Sequence, residues 1–121
     1  MAERHKCDRD AFIKLLGERF PEVVATFTDV DEGLLHLEVA AFRICVERAM
    51  DEGRLWDTER YLRFVDEILP LADEALDNAI GVSFIEDFAL GECTAARRSA
   101  LKERAPQRIR DQIVAIHSQW R

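Results

Sequence analysis

The sequence predicts an all-α fold, one compact antiparallel bundle of five to seven helices, on three observations. Apolar residues recur at three- and four-residue intervals from Asp8 to Trp120, the period of helices with one buried face. No stretch alternates apolar and polar residues long enough to make a strand. Capping residues, prolines and glycines cut the chain into segments whose connections of about two to five residues make sequential helices antiparallel neighbours.

The elements follow in order. A polar tail, residues 1–7, precedes a single domain over 8–121. Asp8 caps a first helix that buries Phe12, Leu15 and Leu16 and stops before Pro21. Pro21 opens a short second helix through Phe27, since the missing N–H is not needed in a first turn. Asp29 or Asp31 is expected to cap the third, with Leu35, Val39, Phe42, Val46 and Ala49 as its core stripe. Gly53 supplies the left-handed stop.

A further start is expected at Asp57 or Thr58, after Trp56. Tyr61, Leu62, Val65, Ile68 and Leu69 lead up to Pro70, which ends or kinks that helix. The pattern resumes from Leu71 through Leu76, Ala79, Ile80 and Phe84, and Gly91 closes it. Gly81, unfavourable by about 1 kcal/mol relative to Ala inside a helix, marks close packing or a bend. Thr94 caps a basic helix ending at Pro106, and Ile109, Ile113, Ile116 and Trp120 form the core stripe of the last.

Composition narrows the function. The N-terminal stretch lacks the apolar segment of a secretory signal, and no apolar run reaches the ~18 residues a bilayer span needs. Cys7, Cys45 and Cys93 are odd in number and scattered, the usage of free thiols in a reducing compartment. A cytoplasmic protein with no membrane association is expected. The net charge of −7 is uneven: residues 61–92 hold eight acids and one base, residues 93–121 two acids and seven bases. Either the basic final segment lies across the acidic middle, or the acids face a partner.

The candidate chemistries are thin. Glu32 and His36 have a ligand-pair spacing, but the second Glu-x-x-His of a di-metal bundle is absent. Ser83 lacks a nucleophile elbow around it and is expected to contact a neighbouring helix. No phosphate loop or dinucleotide fingerprint occurs, so neither cofactor nor metal is expected. The bases Arg97, Arg98, Lys102, Arg104, Arg108 and Arg110 lack interleaved aromatics in an acidic chain, which argues against nucleic acid. Asp66, Asp73 and Asp77 share a face if Pro70 only kinks its helix, with Glu67 and Glu74 beside them. These five carboxylates are the candidate partner-binding residues.

Residues 64–92, with Asn78, Val82, Phe84, Ile85 and Glu86 in the pattern Asn-x-x-x-Val-x-Phe-Ile/Leu-Glu, are followed by a basic segment and a terminal helix. In this the chain resembles an uncharacterised bacterial family of short, acidic, all-helical proteins encoded near polymorphic toxin systems. The resemblance implies an immunity role, in which the protein neutralises a toxin domain with a basic cleft. It assigns no catalytic residue. The alternative is a helical scaffold or adaptor without catalytic activity. Asn78, polar on a packed helix, is expected to bond a neighbouring helix or face a partner.

Overall fold

The computed structural model describes residues 6–91 and 93–119. The chain is all-α, with no strand among the described residues. Asp8 accepts the Ala11 N–H at 2.9 Å and starts α1 (Arg9–Arg19), which turns Phe12 and Leu16 inward and leaves Leu15 half-buried. Pro21 opens α2, which is shorter than expected (Pro21–Val24). Before α1, Cys7 is not free tail. Its N–H donates to the Leu71 carbonyl at 2.6 Å, its carbonyl accepts the Asp73 N–H at 2.8 Å, and its side chain is buried. The expected polar tail is therefore tied to the fold at Cys7.

Helix α3 (Leu35–Asp51) buries Val39, Phe42, Val46 and Ala49, with Leu35 half-buried at its start. Asp29 and Asp31 do not cap it. Asp31 instead closes a reciprocal turn with Thr28, accepting the Thr28 N–H at 3.0 Å while Thr28 Oγ1 accepts the Asp31 N–H at 3.3 Å. Leu34 then enters the helix with no side-chain cap. At the other end Gly53, at φ +72°, sits where an L side chain is strained. The Gly53 and Arg54 N–H groups bond back to the Met50 and Ala49 carbonyls, a Schellman closure.

This tight turn leads into α4 (Leu55–Ile68), which packs on α3. It starts earlier than Asp57, since the Arg54 carbonyl accepts the Thr58 N–H at 3.0 Å, and the Thr58 hydroxyl, one turn inside the helix, bonds the same carbonyl at 2.9 Å. Trp56 is left exposed. Pro70 ends α4 rather than kinking it. The chain tightens into a 3-10 turn over Leu69–Leu71, Ala72 is extended, and Asp73 restarts the helix by accepting the Leu76 N–H at 2.9 Å.

Three segments then run on as one helical rod: α5 (Glu74–Ile80), a π-helical turn (Gly81–Ile85) and α6 (Glu86–Leu90). Counting that rod once, seven helices lie among the described residues. Thr94 accepts the Arg97 N–H and caps α7 (Ala95–Arg104); Pro106 separates it from α8 (Gln107–Gln119).

An aromatic column forms the centre of the core, because rings prefer edge-to-face and offset contacts. Phe12 stacks on Phe64 at 6.0 Å, Phe20 meets Phe64 edge-on at 5.5 Å, and Phe42 lies 5.7 Å from Tyr61 and 5.5 Å from Phe84. Ile109 reaches this core fully buried, whereas Ile113 and Ile116 are only partly covered. The last residue of that expected stripe, Trp120, lies outside the described residues.

Candidate functional site

The π turn is the least regular part of the helical scaffold. The Glu86 N–H reaches five residues back to the Gly81 carbonyl, widening the helix for one turn. Such turns displace backbone groups that need other partners. Arg43 on α3 meets this need, donating from Nη1 to the Ser83 carbonyl at 3.3 Å and pairing with the Asp87 carboxylate. Ser83 also meets His36 of α3, Oγ to Nδ1 at 2.8 Å, the interhelical contact its position suggests. Gly81 is not a close-packing residue: a Cβ built there meets nothing within 4 Å. The space beside it is a groove.

Arg43 belongs to an ionic row along α3. It also contacts Glu47 at 3.4 Å; Glu47 receives Arg97 of α7 at 3.1 Å, and Arg97 in turn grips Asp51 at 2.8 Å. The Arg97 hydrogen bonds hold the Asp51 carboxyl below the usual carboxylate range. The row spans Asp87, Arg43, Glu47, Arg97 and Asp51, so part of the basic C-terminal segment does lie across acids of the middle.

The groove beside Gly81 has a volume of about 380 Å³ and lies between the α5–π rod and α8. Val82, Ile85, Ala115 and Ile116 give it an apolar bed, with Asp77 and Glu86 as acids on its edge. Asn78 lines it too and is exposed, with no side-chain hydrogen bond to a neighbouring helix among the described residues. Glu74 is exposed one turn before Asn78.

The five predicted carboxylates do not form one row, because the break at Pro70 separates them. Asp66 takes Arg108, which bonds its carbonyl at 2.8 Å and its carboxylate at 3.4 Å. Glu67 takes Arg19 at 2.8 Å, and Asp73 is the cap of α5. Glu74 and Asp77 remain together, with neither in an ion pair among the described residues. The groove adds Glu86, Gln112 and Asn78 to them.

Other expectations also change. Glu32 and His36 do not share a helix, because α3 begins at Leu35. Among the described residues, no group of three His, Cys, Asp or Glu side chains is arranged to hold a metal ion. The Asn78 to Glu86 pattern does mark a place: Asn78, Val82, Ile85 and Glu86 wall the groove while Phe84 packs inward. The side from α8 left no local sign in the sequence.

Residues 13–121 match a family model described as a domain of unknown function, DUF7674. No curated protein and no solved structure matches the chain.

Proposed function

We propose that this chain, which belongs to the DUF7674 family, is a binding protein of the immunity type, working in the bacterial cytoplasm. It neutralises a toxin domain by seating a basic segment of that partner along the groove of α5, the π turn and α8. The observation that carries this reading is the placement of charge around an apolar bed. Asp77 and Glu86 edge the groove and Glu74 extends the line, while Asp66, Glu67, Asp73 and Asp87 are engaged within the fold. Acids with no ion pair among the described residues, beside half-exposed Val82, suit a partner with bases flanking an apolar anchor. Acids facing a basic cleft also accelerate encounter, most strongly at low salt.

The test pairs the chain with the toxin domain encoded next to it in its native genome. Co-expression restores growth, and Glu74→Lys, Asp77→Lys and Glu86→Lys combined abolish that rescue. The variant associates more slowly, with a flatter salt dependence, while its helical spectrum and cooperative unfolding are retained. Asp66→Lys has the opposite profile, losing stability through its contact with Arg108 while retaining fast association. Rescue and association unaffected by the triple reversal would remove the groove from the interface. An adaptor with no toxin partner gives no rescue even as the wild-type chain.

A further inference from the structure

A second cavity lies on the opposite flank of α8, between it, α6 and α7, with a volume of about 550 Å³. That is within the ~300–1,000 Å³ typical of small-molecule sites. Its floor is Phe88, Leu101 and Ile113, with Val114, 63% exposed, at its mouth. The walls are almost wholly apolar, but Arg98, Lys102 and Arg110 stand around the rim.

These three cations differ from most arginines of the chain. Arg9, Arg19, Arg43, Arg54, Arg97 and Arg108 each meet a carboxylate. Arg98 instead donates to the neutral Cys93 carbonyl at 3.1 Å, and Arg110 to the side-chain oxygen of Gln107 at 2.8 Å. Lys102 has no ion pair among the described residues. The nearby acids are turned elsewhere: Asp111 takes a hydrogen bond from Gln107, and Glu103 faces a separate cavity beside Arg63. In a protein of net charge −7, three cations with no ion-paired acid among the described residues, around one apolar cleft, complement an anionic ligand with an apolar body.

We propose that this cleft binds a single-chain fatty carboxylate, its hydrocarbon on Phe88, Leu101 and Ile113 and its carboxylate among Arg98, Lys102 and Arg110. The charge placement selects this occupant, because three cations grouped beside one apolar bed match a single anionic head on one hydrocarbon chain. The site shares no lining residue with the acidic groove, so the two readings stand or fall separately.

Cys93 provides a local reporter, since it lines the cleft and is partly exposed while Cys7 and Cys45 are buried. Calorimetry on the full chain with sodium dodecanoate, kept below its micelle concentration, is expected to show saturable one-to-one binding. Bound dodecanoate should slow maleimide labelling of Cys93. Neutralising the rim (Arg98→Gln, Lys102→Gln, Arg110→Gln) weakens dodecanoate by roughly tenfold or more, while dodecan-1-ol is little affected. Val114→Asp, a change at an exposed position, weakens both ligands with an unchanged helical spectrum. The proposal is overturned by absent saturation, by equal loss of acid and alcohol in the rim variant, or by Cys93 labelling indifferent to dodecanoate. Two further results overturn it: sedimentation with phosphatidylglycerol vesicles without dodecanoate binding, and self-association that Val114→Asp abolishes in its place.

Discussion

Arg9 grips the Glu38 carboxylate with two hydrogen bonds, Nε to Oε1 at 2.9 Å and Nη2 to Oε2 at 2.7 Å, across 29 residues of sequence. The Glu38 side chain is 1% exposed, and the Gly33 N–H adds a third bond at 3.2 Å. One buried acid thus ties the start of α1, the loop before α3 and the first turn of α3 together. Arg9 itself is 36% exposed and keeps access to water.

The two halves of this pair are therefore unequal. Arg9→Met leaves a buried carboxylate with a single backbone donor and is expected to cost about 3–5 kcal/mol. Glu38→Gln keeps the shape and leaves an arginine that water can solvate, so its cost stays nearer 1–2 kcal/mol, the order of losing one charge-assisted hydrogen bond. Urea unfolding of both variants checks this. Equal losses would show that the carboxylate is not the buried member that matters.

Acid titration probes the row along α3. Arg97 lowers the Asp51 pKa in the folded protein, against a weaker upward push from partial burial. A depressed folded pKa contributes stability above the unfolded value of about 3.9, and that contribution is lost as pH falls through the lower folded value. The Asp51 carboxyl carbon is expected to titrate below an ordinary aspartate, and Arg97→Gln to return it towards one. An unchanged midpoint in Arg97→Gln would contradict the contact.

Two glycines carry opposite predictions. Gly81 has right-handed helical backbone (φ −58°) with open space where a Cβ would stand. Gly81→Ala is therefore expected to stabilise by about 0.4–1 kcal/mol, by narrowing the unfolded ensemble. Gly53→Ala forces a side chain into the left-handed region and costs about 1 kcal/mol or more. Thermal unfolding gives the signs directly. A destabilised Gly81→Ala would mean that the π turn needs the freedom of glycine.

Along α8, burial falls from the first turn outward. Ile109→Ala, at a fully buried position, is expected to cost about 2–5 kcal/mol; Ile116→Ala, partly exposed at the groove, less than half of that. Denaturant midpoints with unchanged slopes test the gradient. Equal costs would place both residues in one continuous core.

Local signals were legible in the sequence because their physics is local. Asp8, Pro21, Gly53 and Thr94 act within one turn of their own positions, and each does what its residue type predicts. The core stripe of α3 is equally plain. Expectations that required knowing how far a helix continues did less well. Reading Pro70 as a kink made Asp66, Asp73 and Asp77 one row, whereas the 3-10 turn makes Asp73 a cap and gives Asp66 to Arg108. Glu38, between Leu37 and Val39, resembles any surface acid; its burial is created by Arg9 on another helix. The groove was half visible, because Asn78, Val82, Ile85 and Glu86 lie on one segment. Its other wall, and the whole cleft at Val114, arise only when α8 docks.

That docking makes α8 a party wall. Gln112, Ala115 and Ile116 face one cavity; Ile113, Val114 and His117 face the other. Because the two cavities share this helix, a guest that displaced α8 from one side would alter the other, and linkage would then return the influence with the same factor. Whatever an amphiphile in the cleft does to the hold on a protein partner, that partner does to the hold on the amphiphile.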